Sequence, residues 1–289
     1  MLKNAKKIAF QGAKGAYSDL ACRAVYPDME TVPCATFEDA FNAVREGLTD
    51  LAMIPIDNTL AGRVADVHHL MPKGDLFIIG EHFQPIRHHL LGVKGAKKED
   101  IKHVHSHIHA IPQCRKLIAR LGVKAHIHAD TAGAAEEISR NNDKAHGAIA
   151  SELAAQIYGL QILEENVQDA AHNTTRFVIL SSEPNVPKQE ENIDVLTSLL
   201  FEVRNVPASL YKSLGGFATN KLSMAKLESY IDENFQSALF YCEVEGHPET
   251  TAFKNALEEL GFYAKDVKFL GAFPAHKLRK TYRKNQSEF

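Results

Sequence analysis

Asn173-Thr174-Thr175-Arg176-Phe177-Val178-Ile179-Leu180 is a polar cluster that runs straight into an apolar strand. Two hydroxyls, an amide and a guanidinium stand where a loop enters that strand. Such a set can hydrogen-bond an oxygen-rich anion and hold a proton donor beside it. Hydrophilic loops ahead of strands commonly look alike, so the meaning of the cluster depends on its surroundings. Upstream, short apolar runs alternate with helical patterns, the mark of an α/β domain. The strand from Thr175 to Leu180 would return the chain to the block in which it began, and that return makes the domain two-lobed.

In the first block, Lys7–Gln11 reads as a strand that runs into Gly12-Ala13-Lys14-Gly15-Ala16, with a helix from about Tyr17 to Val25. Thr36 is a suitable N-cap for a helix with an acidic first turn. Its residues Phe37, Ala40, Phe41 and Val44 share one face. Leu51–Ile56 is a buried strand that ends at Asp57-Asn58-Thr59. A second block, from about Gly80 to Ala171, holds strands near His88–Val93, His103–His105, Lys124–His128 and Gly147–Ala150. Its helices fall near Ile111–Leu121 and Thr131–Asn141. Two lobes joined by crossing segments imply a cleft lined by polar loops at strand ends.

Ser181–Asn192, with Pro184 and Pro187, reads as a linker. Beyond it come a strand (Val195–Val203), a helix (Pro207–Thr219), two strands (Leu222–Tyr230 and Ala238–Val244), a helix (Thr250–Leu260) and a strand (Val267–Phe273). Strand-helix-strand-strand-helix-strand is the ferredoxin-like plan. Pro207 suits a first helical turn, where its missing N–H costs nothing.

Composition excludes several classes. At 45% hydrophobic and 24% charged, the 289 residues match an ordinary globular protein. A formal net charge of −3 gives no electrostatic case for nucleic acid or membrane. Lys277, Arg279, Lys280, Arg283 and Lys284 read as a frayed, solvated basic tail. Cys22, Cys34, Cys114 and Cys242 are widely spaced, as reduced cytosolic thiols are. Met1–Lys7 precedes only the short apolar run Ile8-Ala9-Phe10, unlike a secretory signal, and no segment has the length of a membrane span. A cytoplasmic location is expected.

Each candidate site has a bland reading beside it. Gln11–Ser18 joins strand to helix with two glycines, as an anion-binding loop or as a tight turn. It carries neither a P-loop nor a GxGxxG fingerprint. Asp57-Asn58-Thr59, followed by Gly62-Arg63-Val64, is either a helix cap or a cleft wall. His103, His105, His107 and His109, with His126 and His128 nearby, invite a metal. Alternate strand residues lie about 7 Å apart, which is wide for one zinc, and no HExxH accompanies them, so no metal is expected. Ser106-His107 followed by Gln113-Cys114 is more specific. No GxSxG elbow exists, and covalent hydrolysis is set aside.

Taken together, these pieces resemble the prephenate dehydratase family along nearly the whole chain. The glycine-rich opening loop appears as Gly12-Ala13-Lys14-Gly15-Ala16-Tyr17-Ser18. A Pro-x-Glu-Asn-Ser segment appears as Pro55-Ile56-Asp57-Asn58-Thr59. Ser106-His107 with Gln113-Cys114, Thr131-Ala132, Ala148-Ile149-Ala150-Ser151 with Tyr158-Gly159-Leu160, and Thr175-Arg176-Phe177 complete six motifs in order. The resemblance implies a catalytic domain of the type II periplasmic-binding-protein architecture over residues 1–182, its lobes formed by about 1–80 with 172–182 and by 81–171. It further implies a linker at 183–193, an ACT regulatory domain at 194–275, and then the basic tail 276–289.

The implied activity is decarboxylating dehydration of prephenate to phenylpyruvate, CO2 and water, with no cofactor or metal because aromatisation drives the reaction. Thr175 is implied as the hydroxyl assisting the leaving group. Asn58, Thr59, Ser106 and Thr131 form a neutral wall, and Arg176 either binds a substrate carboxylate or braces the cleft. Asn173 and Thr174 fall to structural roles. Gly12, Gly15, Ala16, Tyr17, Gln113 and Ala132 are implied as the substrate loop. L-Phenylalanine as effector is implied at Ala208, Ser209, Leu210, Ser223, Met224, Glu228 and Ser229, in a homodimer or homotetramer. Tyr230-Ile231 replaces the family's Arg-Pro beside that site, Asp57 its Glu, and Thr59 its Ser. The rival readings are arogenate dehydratase and a non-catalytic two-lobed small-molecule sensor.

Overall fold

The computed structural model describes residues 5–73, 75–189, 193–231 and 237–280. The chain groups into two compact units, one of Met1–Gly74 with His82–Val178, the other of Asp75–Glu81 with Ile179–Phe289.

The first unit opens with β1 (Lys7–Gln11), α1 (Tyr17–Val25), β2 (Glu30–Cys34), α2 (Phe37–Arg45), β3 (Leu51–Asn58), the short β4 (Gly62–Arg63) and α3 (Ala65–Leu70); β5 (Phe77–Pro85) follows, its residues 77–81 grouped with the second unit. Phase and caps explain the start of α2. Thr36 and Asp39 form a capping box, and Ala40, Phe41, Ala43 and Val44 are buried on one side. Gly15, at φ +88°, is required before α1, because a Cβ there would sit 2.8 Å from the Ala154 Cα.

A second group follows: β6 (His89–Gly92), β7 (His103–His107), α4 (Arg115–Leu121), β8 (Lys124–His128), α5 (Thr131–Asn141), β9 (His146–Ala150), α6 (Glu152–Tyr158) and β10 (Gln161–Glu164). The expected helix Ile111–Leu121 is split. Ile111–Gln113 is a 3-10 turn, and Cys114 at φ −125°, ψ 30° separates it from α4. β11 (Thr174–Ser181) then returns to the opening sheet, whose order is β2-β1-β3-β11-β5 with β4 paired to β3. The other sheet runs β10-β6-β9-β7-β8.

The second unit contains β12 (Val195–Val203), α7 (Ser209–Thr219), β13 (Met224–Ile231), β14 (Ser237–Glu245), α8 (Thr251–Tyr263) and β15 (Ala264–Pro274). Its sheet order, β13-β14-β12-β15, with antiparallel pairs throughout, is that of the ferredoxin-like plan. Phe201, Phe217, Phe240, Phe253 and Leu260 fill its core. α8 ends three residues later than expected and β15 starts three residues earlier, and two further expected boundaries shift for a backbone reason. Ala208 stands in the left-handed region at φ 62°, so α7 starts at Ser209 and Pro207 lies outside the helix. Lys221, at φ 58°, holds the turn before β13, which starts two residues later than expected.

The basic tail needs a larger correction, because it is not solvated from residue 276. Arg279 donates a forked pair to Glu81, at 2.7 Å and 2.8 Å, and its Nη2 lies 3.4 Å from Glu243. Both carboxylate side chains are fully buried. Arg283 and Lys284 lie outside the described residues.

Candidate active site

A cavity of about 240 Å³ opens in the first unit where residues of both sheets converge. β3 delivers Asn58 at its last position, α1 delivers Tyr17 and Ser18, the turn before α4 delivers Gln113, and α5 delivers Thr131. On β11, successive side chains point to opposite faces. Thr175 and Phe177 therefore line the cavity, while Arg176 is buried elsewhere with its Nη1 3.6 Å from Asp57. A larger hollow of about 940 Å³ lies in the second unit, bordered by Val186, Pro187, Lys188 and His247.

The cavity's polar groups form a directed row. Asn58 Oδ1 accepts the backbone N–H groups of Leu60 (2.9 Å) and Ala61 (2.8 Å), which fixes its amide orientation. Its Nδ2 must then face outward, donating to Thr175 Oγ1 and to Asn173 Oδ1, both at 2.9 Å. Asn173 Nδ2 donates to Gln113 Oε1 at 2.6 Å, and the same oxygen lies 3.1 Å from His88 Nε2. Because Gln113 presents an acceptor there, His88 Nε2 carries the proton. When the ring is neutral, Nδ1 at 2.8 Å and the Arg87 carbonyl at 2.7 Å are both acceptors and share the single Tyr17 hydroxyl proton. Burial holds the His88 imidazole down at about 4 and pushes the Tyr17 phenol well up. The row is neutral at physiological pH. At its far end Thr175 accepts from Asn58, so its own proton is free to point into the cavity.

One member of this row carries no signal in the sequence, and another is read there only as structural. His88 sits in Arg87-His88-His89, a run with no motif, and its partners lie 71 and 25 residues away. Asn173 reads as structural, yet it joins Asn58 to Gln113. Among the expected catalytic and loop residues, Thr175, Asn58, Thr131, Tyr17 and Gln113 line the cavity, and the others do not. Thr59 Oγ1 donates to the His172 carbonyl at 2.8 Å and accepts from Thr174 N–H, stapling β3 to the loop before β11. Ser106 is fully buried and donates to the Ile149 carbonyl at 2.6 Å across β7 and β9. The Gly12 N–H goes to Cys34 O, and the Gly15 carbonyl accepts from Ser151 at 2.6 Å, so this loop docks on its neighbours. Ala16 and Ala132 are buried beside it and within α5.

His103, His105, His126 and His146 stack on one face of β7, β8 and β9, ring centroids 4.6–5.1 Å apart. Among the described residues no three His, Cys, Asp or Glu side chains are placed to hold one metal ion. In the second unit, Ala208, Ser209 and Leu210 open α7. Ser223, Met224, Glu228 and Ser229 lie at β13, with Glu228 3.6 Å from Lys226.

Known proteins resemble this chain in sequence and in fold. The family model described as prephenate dehydratase matches residues 8–185. A Komagataeibacter europaeus protein named bifunctional N-acyl-homoserine lactone acylase/prephenate dehydratase is 47% identical over 275 residues, covering 94% of this chain and 97% of that one. Arogenate dehydratase/prephenate dehydratase 1 of Arabidopsis thaliana, a chloroplastic protein, is 40% identical over 94% of this chain and 73% of its own length. The crystal structure of Arthrobacter aurescens prephenate dehydratase in complex with L-Phe superposes with a TM-score of 0.84 at 25% identity, covering 98% of each chain. With the family model matching well over half of its length, the chain belongs to the prephenate dehydratase family.

Proposed function

We infer that this chain catalyses the decarboxylating dehydration of prephenate to phenylpyruvate, a carbon–oxygen lyase reaction, in the cavity lined by Thr175. The bond from the ring to its carboxylate breaks and its electron pair enters the ring. The ring hydroxyl departs with the C–O pair and takes up one proton, so the products are phenylpyruvate, CO2 and water. The observation that carries the reading is the fixed row Asn58–Asn173–Gln113–His88, which leaves the Thr175 proton free to meet the departing oxygen. A neutral wall suits a carboxylate that must lose its charge, because cations there would stabilise the ground state more than the transition state. Arg176, paired with Asp57, takes the bracing role.

The second unit is proposed as an ACT domain that binds L-phenylalanine, in a protein at least dimeric. Its ferredoxin-like sheet and the exposed Leu227 and Ile231 on edge strand β13 support this. Monofunctionality and a cytoplasmic location are proposed too. The four cysteines are free, as suits a reducing compartment. Among the described residues no helix is long and apolar enough to cross a membrane.

Purified chain given prephenate should produce phenylpyruvate, followed by its absorbance, and arogenate in competition sets the preference between them. L-Phenylalanine should change that rate and raise the melting temperature, with the shift lost in Ser209→Trp. No phenylpyruvate would overturn the catalytic reading; an unchanged rate and melting temperature would overturn the effector site. A second reading, acylase activity, is favoured by the name of the 47% identical relative. The apolar part of the lining, Phe37, Pro55, Ile86 and Phe177, suits an acyl chain. Burial pushes the Cys114 thiol up to about 12, so that group does not supply a thiolate nucleophile. Release of fatty acid from an N-acyl-homoserine lactone would establish this second activity and overturn monofunctionality.

A further inference from the structure

Prephenate carries two carboxylates, and only one leaves. The neutral wall suits the departing one. The carboxylate that stays on the product needs a charged or strongly donating partner throughout, yet among the described residues no lysine or arginine lines the cavity. Arg176 is turned away to Asp57. What the lining offers instead is His107 and His109, two imidazoles with ring centroids 5.1 Å apart at the end of β7.

We propose that His107 and His109 form the subsite for the retained carboxylate and that His107 takes up a proton when it binds. This rests on the prephenate reading of the cavity and assigns the substrate's orientation: side-chain carboxylate toward the histidines, ring carboxylate toward the neutral row. His107 Nδ1 accepts the His109 backbone N–H at 3.3 Å, so in the neutral ring the proton is on Nε2. The ring is thereby ready to donate, and adding a proton at Nδ1 requires only that this weak bond yield.

Titratable groups face His107 from several elements. His109 follows it, and Asp130 caps α5. In register on β8 stands His128, 3.3 Å from Glu137 of α5. Tyr17 and His88 share the lining. Burial first, then His109, lowers the His107 pKa, against a rise from Asp130. Above the ordinary imidazole value of about 6.5 the empty His107 is therefore neutral. A bound carboxylate favours the cation, binding draws in a proton, and affinity falls as pH rises until the complex itself loses that proton.

Phenylpyruvate is the clean probe, because it keeps this carboxylate and lacks the other. Calorimetric titration at pH 6 and pH 8, in buffers of different ionisation enthalpy, reads affinity and proton uptake without requiring turnover. Wild-type protein should bind with uptake and more tightly at pH 6. His107→Gln with His109→Gln should weaken binding at pH 6 by about 10–100-fold, the loss of a charge-assisted hydrogen bond, and abolish the uptake. The single His109→Gln, at an exposed position, should lose part of the affinity even if the double variant folds poorly. Unchanged affinity and uptake in the variants, or wild-type protein that does not bind phenylpyruvate, would overturn the subsite. Binding with uptake but no turnover of prephenate would sink the catalytic reading and leave the subsite standing.

Discussion

Thr175→Ala should lower kcat on prephenate by about 10²–10⁴-fold, the usual worth of a positioned proton donor, with little change in melting temperature. Stability should hold because Thr175 is only half-buried and Asn58 keeps its bonds to Leu60, Ala61 and Asn173 when the threonine hydroxyl is gone. The loss should fall on kcat rather than KM, since the hydroxyl serves the departing oxygen and that charge exists only in the transition state. Thr175→Ser, which restores an Oγ in reach of Asn58 Nδ2, should recover most of the rate. Thr175→Val, which keeps the branched shape without the hydroxyl, should behave like alanine. A threonine hydroxyl is a feeble acid by itself. Its strength here comes from the donor behind it: Asn58 Nδ2 polarises Oγ1, and that amide cannot turn because two backbone N–H groups hold its oxygen. Near-normal turnover by Thr175→Ala in a steady-state assay would remove Thr175 from the chemistry.

The sequence exposes one end of this row and hides the other. Thr175, Asn58 and Gln113 stand in recognisable motifs. Neighbours on a strand cannot share a face, so alternation along β11 separates Thr175 from Arg176 and favours the bracing role once Thr175 is given the cavity. Ser106 misleads because its motif is real but its hydroxyl is spent inside the sheet, on Ile149, and strand partners 43 residues apart are not written locally. His88 is hidden for the same reason. Its place in the row is set by Tyr17 and Gln113, brought together only by folding. The element order of the second unit is legible from periodicity, whereas its edges are not. Ala208 and Lys221 hold positive φ, which residue type does not announce.

Arg279→Leu should destabilise the second unit by about 3–5 kcal/mol, the cost of removing one partner from a buried ion pair. A cluster of lysines and arginines after the last strand looks like solvated tail, and local composition does not show that Glu81, 198 residues earlier, is its counterpart. Glu81 Oε1 also accepts the His276 backbone N–H at 2.8 Å, and Glu243 Oε1 accepts the Tyr241 hydroxyl at 2.6 Å. Those hydrogen bonds orient the carboxylates, and the Arg279 fork, reaching Glu81 through Nε and Nη2 and Glu243 through Nη2, is the cation that bridges them. Leucine fills part of the volume but returns neither the charge nor the fork's contacts to the two buried carboxylates. Arg279→Lys should fall between leucine and wild type, since lysine supplies the charge without the planar fork. Urea unfolding of the three proteins measures this directly. A leucine variant within about 1 kcal/mol of wild type, the worth of a surface ion pair, would mean that the buried carboxylates are held by their other hydrogen bonds and that Arg279 does not secure them.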